Sequence, residues 1–223
     1  MPIKVWDFRT DNANVVVEPE IRARFSRMQP GPAGNLHSHD VAGEVFVVLD
    51  GQCEFLVEDE RVTCGPGQMI YVPPQVRHTL HAVGDAPCTV YLSVTPHVEP
   101  THTRWSADLI EQPPRYGTWR GNGPDPHAGT GTAALARGYA AEARKLADLA
   151  ERHAVVMERH AKTLATADGA KGAEGAADGA RQAREAMDEA WRTLRDVLWQ
   201  VRTAEVAWNA LAPRATPPAN PTK

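Results

Sequence analysis

Residues 31–51 read Gly31-PAGNL-His37-Ser-His39-DVAG-Glu44-VFVVLD-Gly51: two imidazoles two positions apart, a carboxylate five further on, and a glycine at either end. Successive side chains of a strand point to opposite faces, so His37 and His39 share a face and can grip one ion as a pair. Glu44 then returns from the following strand. A second stretch, Gly67-QMIYV-Pro73-Pro74-QVR-His78, brings a third imidazole after a turn-forming Pro-Pro. Three neutral nitrogens with one carboxylate suit a single divalent transition metal: manganese, iron, cobalt, nickel, copper or zinc.

Both stretches resemble the two signature motifs of the cupin superfamily. Gly31, His37, His39, Glu44 and Gly51 stand where G(X)5HXH(X)3-4E(X)6G requires them, and Gly67, Pro73 and His78 follow G(X)5PXG(X)2H(X)3N. The second motif departs at Gln75, usually glycine, and at Ala82, usually asparagine, positions that touch the turn and the pocket wall. The resemblance implies a mainly β fold, an antiparallel barrel (double-stranded β-helix) with the metal inside. Short runs rich in Val, Ile, Phe and Tyr recur from Ile3 to Val94, with turn residues between them, as an all-β unit demands. If Glu44 points inward, alternation sends Phe46 and Val48 inward; if His78 does, so do Leu80 and Ala82. These four are the predicted pocket wall. The same count turns His81 outward, and His97, His102 and His127 fall outside any ligand spacing and read as loop residues. Arg22 and Arg24 share one face of their strand, which reads as solvated.

Composition divides the chain. Residues 1–110 form the expected metal-binding barrel; 111–131, crowded with Pro and Gly, a linker that Tyr116 and Trp119 pin to the barrel; 132–212 an alanine-rich helical hairpin; and 213–223 a Pro-rich disordered tail. Apolar residues at Leu135, Tyr139, Leu146, Leu149, Val156 and Leu164, then at Met187, Trp191, Leu194, Leu198, Val201 and Trp208, make one stripe on each helix. His153 and His160 lie on the first stripe and are expected to meet partners on the second helix. Trp191, Trp199 and Trp208 exceed what one partner helix covers, which predicts a homodimer or higher homo-oligomer.

Charge narrows the function. Residues 1–131 hold 10 Lys and Arg against 16 Asp and Glu, and residues 132–212 hold 12 of each, so neither half offers a nucleic-acid footprint. No apolar run is long enough to span a membrane and no leader pattern is present, so a cytoplasmic protein with a small-molecule substrate is expected. Three cysteines argue against a disulfide framework, although Cys53 and Cys64 should face each other across a hairpin. With a coordination position left open, the ligand set implies chemistry on a small anionic or enolic molecule, foremost dioxygenase-like oxidation. A redox-neutral lyase, decarboxylase or isomerase is the alternative, and a non-catalytic metal-dependent binding module is a third. Tyr71 and Tyr91 are the candidate proton donors.

Overall fold

A computed structural model describes residues 3–117, 125–168 and 172–215 of the chain. Its contacts divide into two units, Met1–Thr130 with Trp208–Lys223, and Gly131–Ala207. The first is built of ten strands in two antiparallel sheets. One sheet runs β1 (Asn14–Glu18), β2 (Ile21–Met28), β9 (Cys88–Thr95), β4 (Gly43–Asp50), β7 (Met69–Val72). The other runs β10 (Thr103–Arg104), β3 (His37–Ser38), β8 (His78–Ala82), β5 (Cys53–Val57), β6 (Glu60–Cys64). Ile3–Phe8, which reads as a strand, forms none.

Register sorts the interior into two layers. Phe46 lies opposite Leu92 and Val48 opposite Val90, while Cys53 lies opposite Ala82 and Phe55 opposite Leu80. The floor is therefore apolar: Phe46, Val48, Cys53, Phe55, Ala82, Cys88 and Val90 are all buried. One step up the same strands come Glu44 and His78, both buried, so the polar layer sits directly on the hydrophobic one. Cys53 does face Cys64, and both, with Cys88, are free thiols buried in this floor. Burial pushes the Cys53 thiol up, which keeps it unreactive.

Two turns position the site. Gly51 has φ +74°, and a Cβ there would lie 2.3 Å from the Pro87 carbonyl oxygen, so only glycine closes this hairpin. Gln75 adopts φ +67° at the motif position usually held by glycine, and its amide donates to the His39 carbonyl at 2.7 Å. That bond holds an exposed side chain in a left-handed conformation.

The second unit pairs α1 (Thr132–Asp168) with most of α2 (Gly172–Leu211), both long runs of strong helix formers. Ala186, Ala190, Ala204 and Val156 are buried, and alanine permits the close approach of the two backbones. His153 Nδ1 meets Thr193 Oγ1 at 2.8 Å and His160 Nε2 meets Glu189 Oε2 at 2.9 Å, so both seam histidines have partners on α2. Met187, Trp191, Leu194 and Leu198 form a stripe on α2 that stays exposed, and Trp199 is exposed beside it. No helix among the described residues is long and apolar enough to cross a membrane.

Trp208 leaves this stripe. It and the last turn of α2 belong to the first unit, where the Trp208 indole donates to the Glu99 carbonyl at 2.5 Å. Asn209 accepts from the Glu99 amide at 2.9 Å and donates to the His97 carbonyl at 2.7 Å. The segment read as a disordered tail begins instead as a 3-10 turn, Ala212–Ala215, in which Ala212 and Pro213 are buried. Proline fits the start of such a turn, where a backbone N–H has no partner to lose. Residues 216–223 and Trp119 lie outside the described residues, whereas Tyr116 packs edge-on against Trp208 with ring centroids 6.5 Å apart.

Gln75→Gly should raise the unfolding free energy by about 0.5–1 kcal/mol, because relief of the left-handed strain exceeds glycine's added chain entropy. Urea denaturation of the two proteins checks this; an equal or lower midpoint would contradict it.

Candidate metal centre and its pocket

His37 and His78 are cross-strand partners on β3 and β8, and Glu44 reaches them from β4 of the other sheet. One atom of each of His37, His39, Glu44 and His78 lies within 4.8 Å of the others. Glu44 Oε2 is the common point: it is 2.8 Å from His39 Nε2, 2.9 Å from His78 Nε2 and 3.9 Å from His37 Nε2. The remote nitrogens are all spent on the backbone. His37 Nδ1 meets the Asn35 carbonyl at 2.9 Å, His78 Nδ1 the Val76 carbonyl at 3.0 Å, and His39 Nδ1 the Thr101 carbonyl. A carbonyl only accepts, so each Nδ1 donates its proton there, which leaves each Nε2 as the nitrogen that can take a metal. Three such nitrogens and a carboxylate oxygen at these separations can close on one cation. The donor set therefore fits a divalent transition metal, and the backbone bonds that orient ligating histidines are already in place.

Charge supports the same arrangement. Burial holds the His37 imidazole down to about 4, assisted by the neighbouring His78, so it is neutral at physiological pH. Burial alone would raise the Glu44 carboxyl, but its contacts with His39 and His78 hold it well below the usual carboxylate range. Glu44 is thus an anion in a dry layer.

Beside this cluster lies a cavity of about 200 Å³, lined among others by Arg22, Arg24, Arg104, His102, Phe46 and Leu80. The arginines reverse the expectation of a solvated face. Because β2 pairs with β9, Arg22 lies opposite Val94 and Arg24 opposite Leu92, the same two residues that face Glu44 and Phe46 from β4. Both guanidiniums therefore point inward, and Arg22 is only 1% exposed. Burial pulls Arg22 down to about 10, with Glu44 opposing, and lowers Arg24 as well; both remain cations. His102, which reads as a loop residue, packs its ring 4.7 Å from that of His37 and 4.8 Å from that of His39.

Four expected site residues take other places. Val48 and Ala82 point inward as alternation requires but belong to the apolar floor and do not line the cavity; Phe46 and Leu80 do. Tyr71 lies opposite Val45 and Tyr91 opposite Val47, which puts both on the outer face, so neither reaches the cluster to donate a proton. Tyr71 is 57% exposed and Tyr91 packs edge-on against Phe25. His81 points away from the cluster toward Glu54.

A strap, residues 97–105, closes the site from behind. Thr101 accepts from His39, the Thr103 hydroxyl donates to Asp40, and the Trp105 indole donates to Ser38 Oγ at 3.0 Å. The same strap carries His102 and Arg104 into the cavity. Its other end is the His97–Glu99 stretch held by Trp208 and Asn209.

Residues 24–95 match the family model described as Cupin domain. Residues 24–95 form a cupin domain. Its sequence is similar to an uncharacterized protein of Methanocaldococcus jannaschii, 27% identical over 55 residues, which are 25% of this chain and 44% of the relative. The chain thus spans less than half the length of that curated relative. Among solved structures it is similar to an uncharacterized protein with a double-stranded β-helix domain from Klebsiella pneumoniae, 13% identical with a TM-score of 0.42, covering 46% of this chain and 97% of that one. A cupin 2 domain-containing protein from Halorhodospira halophila is 25% identical with a TM-score of 0.37, covering 40% of this chain and 61% of that one. The cupin match ends at residue 95, so the strap, with His102 and Arg104, lies beyond it.

Protein purified without chelator should hold close to one divalent transition metal per chain, and His39→Ala should lose it, as read by elemental analysis. Acid stability offers a separate check. His97, only 5% exposed, is held down to about 4 by burial and by Arg22, below its ordinary 6.5. Between those values the unfolded chain takes up a proton that the folded one refuses, so stability falls as pH drops through 6.5 and levels off below 4. Each pH unit in that interval costs about 1.4 kcal/mol, so His97→Gln should flatten the acid limb by a few kcal/mol in urea titrations from pH 7 to 4. An unchanged limb would show that other groups set it.

Proposed function

We propose that this cupin holds a divalent transition metal on His37, His39, Glu44 and His78 and oxidises a small organic acid in a dioxygenase-like reaction. The observation that carries this reading is the meeting of a cation-seeking ligand cluster with an arginine-lined cavity of about 200 Å³. When bound, the metal supplies Lewis acidity and, if redox-active, a route for electrons between substrate and dioxygen. The remaining work falls to the chain. Arg22, Arg24 and Arg104 attract and orient an anion, since a guanidinium fork matches a carboxylate in two parallel hydrogen bonds. Phe46, Leu80 and Leu92 exclude water, which strengthens every charge interaction inside.

His102 favours a second reading, a redox-neutral lyase, decarboxylase or isomerase. Its imidazole lines the cavity, ring centroid 4.7 Å from that of His37, and so places a group capable of proton exchange beside a bound molecule.

Turnover of small organic acids by metal-loaded protein, with oxygen uptake recorded in air and under nitrogen, tests both. Oxygen consumed in step with substrate supports the oxidation, and loss of substrate at the same rate without oxygen supports the redox-neutral reaction. A rise in melting temperature with no turnover in either atmosphere would reduce the site to a binding module.

A further inference from the structure

We propose that the cavity takes a small dianion, with one acid group at the His37–His39–Glu44–His78 end and the second on Arg24 and Arg104. The inference rests on the metal-site reading above and extends it to the class of substrate.

Both ends of the cavity suit an acid group. Arg22, Arg24 and Arg104 line a cavity in which Glu44 is, among the described residues, the one lining carboxylate. Glu44 acts on both Arg22 and Arg24 and is also a ligand that a bound metal would draw upon. With a divalent ion in place, the ligand cluster would offer a cation at one end and Arg24 and Arg104 their guanidiniums at the other. A monoanion meets one of these ends, and a dianion meets both.

The spacing suits the same ligand. Arg24 and Glu44 stand on β2 and β4, with β9 between them, and are one row apart in the register. Two inter-strand steps separate their backbones by about 10 Å, a gap that the inward reach of an arginine shortens to a few ångströms. The wall along that gap is Phe46, Leu80 and Leu92, which suits a short hydrocarbon link between two acid groups. Size agrees: at about 30 Å³ for each water-sized group, the cavity has room for some six or seven such groups and no large aromatic system.

Isothermal titration of succinate and of its monoacid counterpart butyrate tests this, on metal-loaded and on chelator-stripped protein. Succinate should bind about tenfold more tightly than butyrate or better, the effect of one well-placed charge-assisted pairing. Arg24→Gln and Arg104→Gln should each narrow the succinate preference, bringing the two affinities together. Arg24→Lys, which keeps the charge without the fork, should recover part of the difference. Thermal melts of each variant identify any that fails to fold, and the other variant then decides. Equal binding of the two acids, no binding of either at millimolar concentration, or a succinate preference that survives both glutamine variants would overturn the proposal. Elemental analysis of the same samples separates it from the metal reading. An Arg24-dependent preference in protein that takes up no metal keeps the dianion and removes the metal, whereas one metal per chain without any preference does the reverse.

Discussion

One buried carboxylate oxygen, Glu44 Oε2, faces three imidazole nitrogens whose opposite ring nitrogens are committed to backbone carbonyls. Such a cluster is a ready ligand set for a cation, and the barrel is organised around it. The carbonyls of Asn35, Val76 and Thr101 fix the tautomers, two of them from residues two positions before their histidine and the third from the strap. The apolar floor beneath keeps water away from the anion. The pairing of this one oxygen explains why so polar a layer is tolerated directly above Phe46, Val48 and Phe55.

The inward arginines follow from the same constraint. A strand that lines a charged cavity at one end and an apolar floor at the other must change character along its length, and β2 does so, from Arg22 and Arg24 to Met28 packed on the core. Positive side chains there offset the buried charge of Glu44 and line the cavity beside it. The donor cluster and the guanidiniums thus address two ends of one small space, with hydrocarbon between them.

Legibility in the sequence tracks contact range. His37, His39, Glu44 and His78 could be read because alternation and a turn, both local rules, bring them to one place. The helical hairpin was equally legible from its three-and-four spacing, down to partners for His153 and His160. Arg22 and Arg24 could not be oriented, because their direction depends on β2 meeting β9 about 70 residues later, and only that register puts them opposite Val94 and Leu92. Tyr71 and Tyr91 show the converse: their chemistry invited a role that their alternation against Val45 and Val47 denies. His102 had no motif to announce it, since it enters the site on a strap. Trp208 followed the helical period faithfully and still belongs elsewhere, because Glu99 offered its indole a carbonyl partner.

The bonds from Trp208 and Asn209 to the strap join residues some 110 positions apart. A ribosome delivers the chain from the N-terminus, so the barrel strands, the strap, α1 and most of α2 emerge before the residues that pin the strap. Through that interval the carbonyl that orients His39 sits on a segment not yet fastened at its far end. The His97–Glu99 end of the strap can therefore be fastened only once the last turn of α2 has been made.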